Sequence, residues 1–247
     1  MKRKTKVIIA ASALAVGAVA FTCASYSSLK KAVEALSDSF TVTAHTGCEN
    51  TQDNSLESIL VGRVNGADIV EFDLHFDSDG NPVLSHDEPE GKCVTLDEAF
   101  TCVARYEDLK VNVDVKNTKN LTAVALCARE HGLSERIFYT GITENDVQAV
   151  KQQTPEISYY LNVDVDKTKK HDKIYLAEIA DTVENAGAVG INFHYSNCTK
   201  ELVEVFRERG LLVSVWTVNN KFDMQRILRL LPDNITTRYP SKLKKII

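Results

Sequence analysis

Glycine and proline are scarce in this chain, 11 and 5 of 247 residues, while 44% of residues are apolar and 26% charged. That balance excludes a collagen-like, low-complexity or disordered protein, none of which carries the apolar mass to fill a core. Basic charge is also short over most of the chain. All four cations of the first 27 residues (Lys2, Arg3, Lys4, Lys6) precede Val7 and no acid accompanies them, so residues 28–247 carry 25 − 34 = −9. A body of that sign repels polyanions, which argues against nucleic acid as a partner. Zinc-type spacing is missing too: the six cysteines form no C-x-x-C pair. An odd five of them (Cys48, Cys93, Cys102, Cys127, Cys198) lie beyond the N-terminal segment, so at least one has no intramolecular partner. They read as small buried hydrophobes.

Long apolar runs are limited to one, the uncharged residues 7–21, directly after the basic start. This is the pattern of a signal peptide or a single membrane anchor over residues 1–27, and both readings stand. Ala18-Val19-Ala20 offers small residues for cleavage, yet the apolar stretch runs on to about Ala24, nearly long enough to span a thinned bilayer. Either way the lysine and arginine bias leaves the body outside the cytoplasm, secreted or held at a membrane by this segment. A short helix is expected over 28–40, with Leu29, Val33 and Leu36 forming an apolar stripe that plugs the barrel bottom.

From residue 41 short β-branched runs alternate with helical stretches. Strands are expected at 41–46, 67–76, 109–116, 136–141, 158–164, 188–195, 211–219 and 234–238. Helices are expected at 54–65, 96–106, 121–131, 144–153, 173–185, 200–209 and 221–231, several followed by Gly or Pro, with a last helix cut down to 241–247. Each short connection between such strands needs a helical crossover, so the strands run parallel. Eight units close a (β/α)8 barrel of the TIM type over 41–247; an open doubly wound sheet is the alternative.

Active sites of such barrels are built at the carboxyl ends of the strands. There the sequence places His45, then Glu71, Asp73 and His75 on one face of the second strand, then Asn112, Asp114 and Lys116 on one face of the third. Three converging carboxylates, Glu71, Asp73 and Asp114, repel one another unless a cation sits between them, and an all-oxygen set selects Mg²⁺ or Ca²⁺. Pairing with Lys116 alone is the alternative. His45 and His86 flank this set at strand ends, where imidazole serves as acid and base in phosphoester cleavage. His131, His171 and His194 carry no assignment.

These residues resemble a known family. Ala44-His45-Thr46-Gly47, Asp53-Asn54-Ser55-Leu56, the run from Gly66 to Asp73, Asp79-Gly80, His86-Asp87, Val113-Asp114-Val115-Lys116 and Val215-Trp216-Thr217-Val218-Asn219 look, in that order, like the signature of the glycerophosphodiester phosphodiesterases. The resemblance implies a TIM barrel that hydrolyses a glycerophosphodiester with a divalent metal. It makes His45 and His86 the acid/base pair and Glu71, Asp73 and Asp114 the metal ligands, sets Lys116 on phosphate, and makes Trp216 a pocket wall. Asn54 is expected to cap its helix, with orientation of the metal ligands as the alternative.

Three departures stand out: Thr46 replaces a phosphate-gripping Arg, Asp114 replaces a Glu, and residues 87–94 replace a longer insert. Arg238, in Thr237-Arg238-Tyr239-Pro240 where the family has an acid, lies on the strand beside Thr46 and is expected to supply the missing phosphate fork. An ion pair with a nearby acid is its alternative. Two other functions fit the same residues: a lysophospholipid or sphingolipid phosphodiesterase, and a pseudoenzyme that only binds phosphorylated ligands.

Overall fold

The structure is a computed structural model and describes residues 26–247; the expected signal peptide or anchor lies outside these but for its last two residues. No helix of the described residues is long and apolar enough to cross a membrane. A leading helix, α1 (residues 26–34), buries Leu29, and Val33 and Leu36 pack against the core beside it.

Eight parallel strands follow: β1 (Thr41–Ala44), β2 (Ile69–Phe76), β5 (Lys110–Val115), β6 (Ile137–Ile142), β7 (Tyr159–Asn162), β8 (Gly190–His194), β9 (Leu212–Trp216) and β10 (Asn234–Thr237). Each pairs with the next in chain order, and β1 pairs with β10 on one side (Thr43↔Thr236) and β2 on the other (Thr43↔Ile69). The ring is therefore closed, which removes the open-sheet alternative. Between strands run α2 (Leu56–Val64), α3 (Leu96–Val103), α4 (Leu121–Glu130), α5 (Val147–Gln153), α6 (Lys173–Ala186), α7 (Lys200–Glu208) and α8 (Lys221–Leu228). The last helix, α9 (Pro240–Lys244), is five residues long.

One feature lies outside the expected strands. The final residues of β2 outrun β1 and pair antiparallel with β3 (Pro82–Leu84), which in turn pairs with β4 (Val94–Thr95). The Asp77 carboxylate accepts from the Asn81 and Asp79 amides and so shapes the turn that makes this hairpin. His86 follows β3 after one residue, Ser85, so the hairpin carries it to the barrel mouth.

Strand alternation sorts the side chains into two layers. On β2, Phe72 faces the helices and meets Phe100 of α3 at a ring separation of 6.2 Å. Both are fully buried, each contributing about 1.5–3 kcal/mol of apolar transfer. The opposite face of the strands lines the barrel interior, where polar groups join in a chain across six strands. Gly141 N–H donates to Asn162 (3.1 Å), the Asn192 amide to Asn162 (3.0 Å), Ser214 to Asn192 (2.9 Å), Asn234 to Ser214 (3.0 Å) and Thr43 to Asn234 (2.8 Å). Each buried polar group finds its partner on the adjacent strand, which is what permits a polar floor inside the barrel.

The five described cysteines are all free. Cys48, Cys102 and Cys198 are buried as small hydrophobes, and Cys93 and Cys127 are half-buried.

Candidate active site

A cavity of about 420 Å³ opens at the carboxyl ends of the strands. It is lined by His45, Glu71, Asp73, His86, Asp114, Lys116 and Trp216, with Asn112, Thr140, Asn162 and Asn192 beneath. Register produces the convergence: Asp73 lies level with Asp114, and Asp114 with Thr140, on adjacent strands.

Glu71 is buried, and its Oε2 accepts from Thr46 N–H at 2.7 Å. Burial pushes its carboxyl up to about 7; His45 pulls it down, and Asp73 and Asp114 add to the rise. Asp73 accepts from the Asn54 amide (2.9 Å) and from Lys116 Nζ (2.8 Å), and Lys116 also reaches Asp114 at 2.5 Å. Burial alone would depress the Lys116 ammonium, but the Asp114 and Asp73 carboxylates outweigh it and hold the group above the ordinary lysine range. Thr140 Oγ1 lies 2.7 Å from the other Asp114 oxygen.

The lysine pairing therefore exists, yet it does not balance the site. With all three carboxylates ionised, as metal ligation requires, one ammonium leaves −3 + 1 = −2, the charge a divalent ion neutralises. One oxygen from each of Glu71, Asp73 and Asp114 lies within 4.8 Å of the others, an all-oxygen set that fits a hard cation.

Both histidines are held by Nδ1. In His45 it lies 2.8 Å from the Thr46 carbonyl oxygen, which can only accept, so Nδ1 carries the proton and Nε2 is left as the basic atom. His86 Nδ1 sits 3.0 Å from the Asp87 carboxylate, and its side chain is 67% exposed at the mouth. Trp216 is 37% exposed, with the His194 ring edge-on to it at 5.6 Å.

Two expectations are corrected, for Asn54 and Arg238, and the loss of the phosphate grip at Thr46 gains a structural role. Asn54 is not the helix cap: Ser55 is, accepting from Ser58 N–H, while Asn54 bonds Asp73 through both its amide nitrogen and its carbonyl oxygen. Thr46, where the family has Arg, is buried and accepts from Asn54 N–H at 2.6 Å, so the position supports the ligand set and does not grip phosphate. Arg238 does not line the cavity; its guanidinium forks onto Asp53 at 2.7 and 3.2 Å. Gly47, between them, has φ +68°, and a Cβ there would stand 1.8 Å from Asp53 Oδ1. The Arg238–Asp53 pair as it stands therefore requires glycine at position 47.

His75, inward like Glu71 and Asp73, is absent from the cavity wall and sits 3.4 Å from Glu88. No sequence motif points to the polar floor, Thr140, Asn162 and Asn192. Its signal was there: a lone amide or hydroxyl at an inward position of an otherwise apolar strand.

Comparison with known proteins decides what this constellation belongs to. The model of the Glycerophosphoryl diester phosphodiesterase family matches residues 36–113 and 95–242. The chain belongs to that family. Members are phosphoric diester hydrolases, and the reaction class follows from membership. A glycerophosphodiester phosphodiesterase of Caldanaerobacter subterraneus subsp. tengcongensis is 26% identical, the match covering 83% of this chain and 97% of the relative. Among solved structures, a glycerophosphodiester phosphodiesterase from Thermotoga maritima matches with TM-score 0.68 at 21% identity, over 84% of this chain and 98% of its own. An Oleispira antarctica phosphodiesterase, solved in complex with the product sn-glycerol-3-phosphate, matches with TM-score 0.71 at 18% identity, over 87% and 98%. These neighbours share the TIM barrel fold.

Proposed function

We propose that this family member hydrolyses a glycerophosphodiester to glycerol phosphate and an alcohol, with Glu71, Asp73 and Asp114 holding Ca²⁺ or Mg²⁺ and His45 and His86 moving protons. The observation that carries the reading is the meeting of all five residues with Lys116 around one cavity at the strand ends. The bound ion would neutralise charge on the phosphate oxygens. Lys116 presents the one ammonium among these cavity residues to the same phosphate.

In this reading His45, with its Nε2 basic, takes the proton of the substrate hydroxyl beside the phosphate as that oxygen attacks phosphorus. The bond to the alcohol breaks, and His86, exposed at the mouth, protonates the departing alkoxide. Water then opens the cyclic ester with the two roles reversed. Location outside the cytoplasm belongs to the same proposal and is supported by the basic residues ahead of the uncharged run at 7–21.

A lysophospholipid substrate is the second reading. It is favoured by Ile174 and Phe222, 75% and 76% exposed on the first turns of α6 and α8, which leave β7 and β9 on the cavity side. With Trp216 they offer apolar surface to an acyl chain.

The test is release of glycerol phosphate from glycerophosphocholine, and of lysophosphatidate from lysophosphatidylcholine, by purified protein in Ca²⁺, Mg²⁺ or EDTA. Metal-dependent turnover of the first supports the main reading, and preference for the second transfers it to the lysolipid. Absence of turnover on both, in folded protein with either ion, overturns both readings.

A further inference from the structure

Outside the lining of the cavity, a second set of metal-ligating side chains converges between two helices. Cys127 and His131 are four residues apart at the end of α4 and share one face. Asp97, in the first turn of α3, meets them there. One ligand atom from each of the three lies within 4.8 Å of the other two. His131 Nε2 stands 2.9 Å from Asp97 Oδ1, and Phe100 packs against the imidazole edge at 6.3 Å, fixing the ring plane.

The donor set differs in kind from that of the barrel. A thiolate, an imidazole and a carboxylate select a borderline cation of the zinc class, where an all-oxygen set selects Ca²⁺ or Mg²⁺. Tetrahedral zinc with bonds of about 2.0–2.3 Å needs its donors about 3.3–3.7 Å apart, so Asp97 and His131 open by about half an ångström and Cys127 closes by about 1 Å at most. The local field has the right sign. Asp97 and Glu130 set negative charge beside Cys127, which attracts a cation; burial raises the thiol, a cost that the metal–sulfur bond must offset.

We propose that Asp97, Cys127 and His131 form a zinc-class site that clips α3 to α4, with water as fourth ligand. His131 binds as neutral imidazole through Nε2, Asp97 as carboxylate, and Cys127 as thiolate after releasing its proton to solvent. Each ion bound thus liberates one thiol proton, and binding weakens on acidification. Cysteine spacing could not reveal the site, because its ligands come from two helices.

Titration of the metal-stripped full chain with Co²⁺ tests it. A thiolate–Co²⁺ charge-transfer band is expected in the wild type and in Asp73→Asn, because the barrel site has no sulfur donor. Zn²⁺ should displace it. Cys127→Ser should abolish the band, and His131→Gln and Asp97→Asn should each weaken Co²⁺ binding by about tenfold or more. Asp97 is 71% exposed, so its variant keeps the fold and the test stands even if Cys127→Ser misfolds. A folded wild type without the sulfur band overturns the proposal, as does a band that survives Cys127→Ser, which would assign it to another thiol.

Discussion

At the residue scale the cavity is a problem of charge. Glu71 is buried beside two other carboxylates, and its proton affinity rises to about 7 from an ordinary value of 4.5. A carboxyl raised by folding binds a proton in the native state that the unfolded chain has already lost, so it costs stability as pH rises through that window. Metal-free wild type should therefore lose stability relative to Glu71→Gln between about pH 4.5 and 7, measured by denaturant unfolding; parallel curves would remove Glu71 as the cause. Proton transfer is the other residue-scale role. His45→Ala and His86→Ala are each expected to lower kcat by about 10² or more with smaller effects on KM, in steady-state assays on the preferred substrate. Asn54→Ala releases Asp73 from one of its two fixed partners and should weaken metal affinity by about 10–100-fold, read by calorimetric titration.

At the element scale, strand register places the acids and the turns release them into the mouth. Gly141 sits at the irregularity between β6 and β7 with φ +76°, and a Cβ there would lie 2.3 Å from the Val115 carbonyl. Gly141→Ala combines a left-handed backbone with a clash against β5, the strand that carries Asp114. It should cost more than about 1 kcal/mol, or about 2–4 °C in Tm by calorimetry. The helix ends gave a mixed account of what sequence reveals. Thr95, Asp172 and Thr199 cap α3, α6 and α7 from their side-chain oxygens. Beside α2, however, Asn54 and Ser55 are both good capping types. Ser55 takes the role because Asn54, with φ +55°, turns back to Asp73. Local propensity cannot rank two such neighbours; the tertiary partner does.

At the scale of the whole molecule, closure of the ring by β1 between β10 and β2 brings residues 45 and 237 within one hydrogen bond, His45 N–H to the Thr237 carbonyl at 3.0 Å. A ligand that binds this closed state alone stabilises it by RT ln(1 + [L]/Kd), so Ca²⁺ or Mg²⁺ at 100 Kd should add about 2.7 kcal/mol. Asp73→Asn should abolish both that gain and turnover. A wild-type melting temperature unmoved by millimolar ion would count against the site.

The alternation of strand and helix, the inward faces of β2 and β5 and the ordered motifs from His45 to Asn219 were all legible in the sequence, because periodicity and local spacing specify them. The sequence by itself thus determined an eight-unit barrel, its acidic mouth and its family. Tertiary structure decided what depended on contacts between distant segments: the commitment of Arg238 to Asp53, the support that Thr46 and Asn54 give Glu71 and Asp73, and the amide chain across the barrel floor. Each of these pairs residues on different strands or loops, and the partner of a polar side chain is set by the closure of the ring, which no local pattern encodes.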